Sequence, residues 1–214
     1  MSGRAARVPP TGPRRHPRQA RARQTVEFVL EAAAQLFAEA GYRATTTNHV
    51  AARAGVSVGT LYQYFPHKDA LLLALAERHV TEGTTALRAV STALRESGAG
   101  WQDVARTLVE SVVALNASPL HVVLADQAPR TPELLALVAE LHDAMAAEVT
   151  GHLVRLGRGG RHPDLRARLL VSAVDATVHE VVIRQPDRPA AVAELVAVCV
   201  RAAPPENDGV SSAP

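Results

Sequence analysis

The sequence is poor in the residues that carry most enzyme and scaffold chemistry. It has one cysteine, one lysine, one tryptophan and only 3% aromatic residues in 214 positions. A lone cysteine excludes an intramolecular disulfide and fits a reducing compartment. Cys199 lies in the apolar run LVAVCV, which reads as a buried small residue. The nine histidines show no H-x-x-x-H spacing and there is no C-x-x-C, so neither a metal nor a cofactor site is expected. No apolar run approaches the roughly 18 residues of a membrane helix. Arg14 and Arg15 hint at an export signal, but Glu27, Glu31 and Glu39 follow where an apolar segment would be needed. A cytoplasmic protein is expected. No internal repeat and no convincing strand is present.

Ala, Val and Leu supply most of the apolar 47%, and Ala and Leu favour helix. Charge is unevenly placed. Residues 1–68 hold ten Lys and Arg against three Asp and Glu, a net +7, and residues 69–214 hold thirteen against eighteen, a net −5. A basic end on an acidic body points to a polyanion at that end. Seven arginines and no acid precede Gln24. Residues 1–20 lack apolar periodicity and read as disordered, either a solvated tail or an arm on DNA. From there, three- and four-residue apolar spacing with caps and breakers predicts nine helices. They cover residues 21–40, 48–54, 57–65, 68–95, 101–117, 120–126, 132–156, 164–184 and 190–202. The tail from 204 to 214 reads as disordered.

One stretch has two incompatible readings. Gly55 to Gly59, GVSVG, matches G-x-S-x-G, the elbow that carries a hydrolase serine. That elbow needs a buried strand before Ser57. The preceding NHVAARA is polar, Ala-rich and follows a run of threonine caps, so it is helix. The alternating strand–helix order of such hydrolases is also absent. The other reading is the turn of a helix-turn-helix. Ala51 lets two helices approach, Gly55 accepts positive φ, and Val56 and Leu61 turn inward. An enzyme is not expected.

The segment GYRATTTNHVAARAGVSVGTLYQYFPHKDALL resembles the N-terminal domain of the TetR family of transcriptional regulators. The resemblance covers about residues 24–72 and rests on Gly41, Tyr42, the Thr run, Ala51, Ala54, Gly55, Val56, Leu61, Tyr62, Tyr64, Phe65, Lys68 and Leu71. It implies an all-α protein with a three-helix DNA-binding domain over residues 21–67. The remainder, 68–203, would bind an effector and dimerise. It places Val58, Gly59 and Thr60 at base edges in the major groove, with Gln63 one turn on. Thr47 and Ser57, at helix N-termini, suit phosphate. Tyr62, Tyr64, His67 and Lys68 are further phosphate candidates, against core packing for Tyr62 and simple solvation for Lys68. Asn48 stands where many relatives carry Arg. His49 stands where they carry Asp or Glu, so the capping box is missing.

The resemblance also implies a homodimer through residues 164–185 and 190–202, matched to a palindromic operator on double-stranded DNA, the alternative being that these faces pack inside the monomer. The middle helices, 101–156, would enclose a pocket for a small apolar effector that releases a repressor. Trp101, Asn116, His121, Gln127, His142, Met145 and His179 are its polar or adaptable candidates. The alternative is a DNA-binding regulator without an effector.

Overall fold

Local signals divide the chain into short and long helices. The computed structural model describes residues 17–126 and 128–206. Nine α-helices and no strand occur among them. The first helical stretch, α1, is Pro17–Ala44, interrupted at Gly41, whose φ of 81° only glycine tolerates well. The buried Thr45 hydroxyl donates to the Leu36 and Gly41 carbonyls and closes that end. Next come α2, Thr47–Ala54, and α3, Val58–Tyr64. Thr46 caps α2 by accepting from the His49 amide, and Ser57 caps α3 by accepting from Thr60. Gly55 between them has φ 68°, and its amide and that of Val56 reach back to α2 carbonyls. A Cβ at Gly55 would meet nothing within 4 Å, so backbone conformation, not space, calls for glycine there.

The longer helices follow: α4, Lys68–Glu96; α5, Trp101–Asn116; α6, Pro119–Asp126; α7, Pro132–Arg155; α8, Pro163–Glu180; and α9, Arg188–Ala202. Thr131 and Asp187 cap α7 and α9 from their side chains. No single helix among the described residues is long and apolar enough to cross a membrane.

Two apolar cores result. One joins α1–α3 to the start of α4, around Phe37, Val50, Leu61, Leu71 and Leu75, and recruits Val123 of α6. The other lies among α4, α5, α7, α8 and α9, around Val104, Leu108, Leu153, Val171 and Val178. The division expected at residues 67 and 68 therefore separates chain segments but not cores, because α4 contributes to both.

Three expectations change. Residues 17–20, expected in the disordered arm, are the first turn of α1; Pro17 at a helix start costs no hydrogen bond. The helix expected to run to 184 stops at Glu180, and Val182–Arg184 form a 3₁₀ turn. Residues 204–206, expected in the tail, are tied down: the Glu206 amide donates to Gly157 and its carboxylate accepts from the Gly160 amide. The rest of the arm (1–16), the rest of the tail (207–214) and Gln127 lie outside the described residues.

Candidate functional site

The surface of α2 and α3 is free of acid: no Asp or Glu stands between Glu39 and Asp69. At its centre Ser57 Oγ sits 2.8 Å from Thr60 Oγ1 and 3.0 Å from the Thr60 amide. Thr47 Oγ1 and Tyr62 Oη lie 3.0 Å apart and tie α2 to α3. Tyr62 is 47% exposed, so the core-packing alternative does not hold. Val58, Gly59, Gln63, Tyr64 and Asn48 are exposed around it, and Thr47 and Thr60 are half-buried. An aromatic-poor chain thus spends two of its three tyrosines on one acid-free face. Arg53 pairs with Glu39 of α1 through two hydrogen bonds of 2.9 and 3.1 Å. Both partners are well exposed, so the pair adds little stability.

Two predicted phosphate contacts already have work inside the fold. His67 caps α4, its Nδ1 accepting from the Ala70 amide. Lys68 reaches the carbonyls of Tyr42 (2.7 Å), Thr45 (3.1 Å) and Arg43 (3.4 Å), and its ammonium lies 4.2 Å from the centre of the Tyr42 ring. A lysine has three donors, and these carbonyls use them. The Tyr42 hydroxyl donates to the Asp69 carboxylate. Burial, with Asp69 adding to it, raises the Tyr42 pKa, so the phenol stays protonated. Lys68→Met is therefore expected to cost about 2 kcal/mol of stability, given 1.5–3 kcal/mol for bonds to charged groups. Denaturant melts measure this. An unchanged melt with uniformly weaker DNA binding would instead return Lys68 to the phosphates.

Of the described residues expected to line one pocket, Trp101 and Met145 share a crevice, whereas Asn116, His121, His142 and His179 find partners within the fold. Trp101 and Met145 line cavities. Asn116 donates to the Val112 carbonyl of its own helix. The histidines find one another. His79 Nε2 is 3.0 Å from His121 Nδ1, His121 Nε2 is 2.7 Å from His179 Nε2, and His179 Nδ1 is 2.9 Å from the Asp175 carbonyl. A carbonyl only accepts, so His179 Nδ1 carries its proton. In the neutral chain each ring then donates onward from His79 to His179. This couples α4, α6 and α8. The reason is burial: half-buried imidazoles need partners, and other helices bring them.

His142 pairs with Asp175 at 3.4 Å. Hydrogen bonding to Asp175 raises the His142 pKa above its ordinary 6.5. Burial works to raise Asp175, but the bond to His142 and the nearby histidines hold it below 3.8. The raised histidine contributes stability below pH 6.5 that disappears as pH rises through its folded pKa. The lowered aspartate contributes above 3.8 and loses this as pH falls. The stability gap between the parent and His142→Asn should therefore be widest near pH 5 and shrink towards pH 8. Urea melts across that range check it; a gap independent of pH contradicts it.

The features that residue-by-residue reading missed are His79 and a cavity of about 230 Å³ between α4, α5 and α7. Gly83, Leu87, Val90, Ser111, Leu115 and Met145 are among its walls. A glycine in the middle of the Ala- and Leu-rich α4 was the available signal. A Cβ at Gly83 would come within 3.1 Å of Leu115.

Residues 29–75 match the family described as bacterial regulatory proteins, tetR family, and residues 100–201 match the tetracyclin repressor-like C-terminal domain. The HTH-type transcriptional regulator YvkB of Bacillus subtilis is 44% identical over 57 residues, 27% of this chain and 30% of that protein. The HTH-type transcriptional activator FasR of Mycolicibacterium smegmatis is 42% identical over 60 residues, 28% of this chain and 27% of that protein. The matched segment thus spans less than a third of either relative. Over the whole fold, FadR of Bacillus subtilis, solved with stearoyl-CoA, superposes with a TM-score of 0.64 at 19% identity, covering 82% of this chain and 98% of that one.

Proposed function

Because the chain belongs to the TetR family of DNA-binding transcriptional regulators, we propose that it is a cytoplasmic homodimer that represses genes from a palindromic operator. A small apolar effector releases it. The observation that carries the DNA reading is the acid-free, tyrosine-bearing face of α2 and α3. In this reading residues 21–67 hold the DNA. Val58, Gly59 and Thr60 meet base edges with Gln63 behind them, and Thr47, Asn48, Ser57, Tyr62 and Tyr64 meet the backbone. His67 and Lys68 set the frame that holds the face in place.

Residues 68–203 carry the effector cavity and the subunit contact. α4 supports their coupling. Its first turns, with Leu71, Leu72 and Leu75, belong to the N-terminal core, and Gly83, Leu87 and Val90 wall the cavity further along. An effector that prefers one tilt of α4 changes the spacing of the two recognition helices. A differential affinity of a few kcal/mol suffices to shift such an equilibrium.

A regulator without an effector is the second reading. The small cavity favours it, since drug-sized ligands occupy about 300–1,000 Å³. Both readings are tested by incubating the purified protein with fragmented genomic DNA from its source and sequencing what is retained. Inverted half-sites separated by whole turns of about 10 base pairs are expected. An unenriched pool would remove the DNA reading. A thermal-shift screen for compounds that also weaken the retained fragments decides between the two.

A further inference from the structure

The cavity between α4, α5 and α7 does not stand alone. A second, narrow crevice of about 50 Å³ is lined by Trp101, Ala105, Leu108 and Val109 of α5, with Leu170 and Val174 of α8 opposite. Val112 and Met145 line both spaces. The two are therefore neighbours along α5, with these side chains between them. Methionine has three rotatable bonds and readily adjusts to a new shape.

Trp101 stands at the far end. It is only 5% exposed, and its indole Nε1 is fully buried without a hydrogen-bond partner among the described residues. Buried donors are rarely left so, because an unmade bond costs about 1–3 kcal/mol. An indole N–H can only donate. Whatever satisfies it must bring an acceptor.

The walls limit the rest of the molecule. Among the described residues, no charged side chain lines either space. A charge carried inside would stay unpaired and costly. Trp101 and Leu115, at the two ends, are fourteen residues apart on α5, a span of about 21 Å at 1.5 Å per residue.

We propose that the two spaces form one binding site, opened by movement of Met145, and that Trp101 Nε1–H is the hydrogen-bond donor to its ligand. The ligand is an elongated, uncharged aliphatic molecule with a carbonyl or ether oxygen at its leading end. This rests on the effector reading above and narrows it to a chemical class.

Trp101 is the only tryptophan in the chain, so its emission reports this site alone. The probes are methyl nonyl ketone, the shorter methyl butyl ketone, and undecane, which matches the first in length but lacks the oxygen. Methyl nonyl ketone should change the Trp101 emission saturably and bind at least about tenfold tighter than undecane, the equivalent of one hydrogen bond. In Trp101→Phe, followed by calorimetry, that preference should vanish. Ala105→Val narrows the crevice and leaves the first cavity's walls intact, so it tests the same point should the Phe variant fail to fold. It should weaken the long ketone about tenfold and leave the short one unchanged. Long-ketone binding with unchanged emission and equal affinity in both variants would overturn the joined site while the first cavity stands. If no probe binds or raises the melting temperature, the joined site falls, and the thermal-shift screen above then decides the effector reading separately.

Discussion

Gly59→Glu is expected to fold normally and lose operator binding by at least about a hundredfold. Gly59 is exposed in the first turn of α3, and a Cβ there meets only Ser57 Oγ, at 3.8 Å. The fold therefore has room for a side chain. What it lacks is tolerance for a negative charge on the face proposed to meet a polyanion. Neutralised phosphates and released counterions provide most of the binding free energy of such proteins. A carboxylate in the groove is repelled by them and has no base edge to serve except a cytosine amine. A hundredfold loss corresponds to about 2.7 kcal/mol. Anisotropy with a retained genomic fragment measures it, with Gly59→Ala as the control. Alanine replaces a glycine in the first turn of α3 with a better helix former, so that control should be slightly more stable than the parent, by up to about 1 kcal/mol. Binding of the Glu variant within threefold of the parent would remove α3 from the DNA.

Leu169→Glu is expected to convert the proposed dimer into a monomer. Leu165 and Leu169 lie one turn apart on α8 and are 52% and 64% exposed, with Val198 of α9 beside them at 52%. They line a shallow apolar channel between α8 and α9 that also includes Ala173, Thr177 and Ala202. Large aliphatic side chains so exposed and so close together mark a contact surface. Two-fold symmetry presents each substitution twice, and each glutamate would carry a charge into the aliphatic part of the channel, whose basic residues Arg161 and Arg166 stand around the start of α8. Sedimentation velocity should show half the parent's mass, with the helical circular dichroism retained. Operator affinity should fall as well, because each half-site is then read alone. A variant that stays dimeric would place the subunit contact elsewhere.

The helix-turn-helix was readable because its signals are local. Thr46, Gly55 and Ser57 act on backbone groups within five residues of themselves. A cap or a left-handed glycine needs no knowledge of the remaining chain. The long helices were readable for the same reason, to within a turn or two at their ends. The stop at Glu180 was not, because the following Val181, Val182 and Ile183 continue an apolar helical pattern.

The polar residues behaved differently. Lys68 looked like a cation for phosphate, yet its partners lie 23 to 26 positions upstream. His121 and His179, proposed for a ligand, meet across 58 positions. The cavity depends on the approach of Gly83 to Leu115, a distance no single helix reveals. Periodicity tells which face of a helix is buried. It does not tell which neighbour that face meets.

By itself, then, the sequence determined the all-helical character, the turn at Gly55, the capped α3 and the basic end with its acid-free stretch between Glu39 and Asp69, since backbone hydrogen bonding and charge count are settled within a few residues. Only the tertiary structure decided which polar groups remain available to partners. Packing removes water from side chains on separate helices, and each must then bond to whatever the other helices bring within reach. Lys68 and the histidines were claimed by the fold in this way, whereas the Trp101 indole was left without a partner.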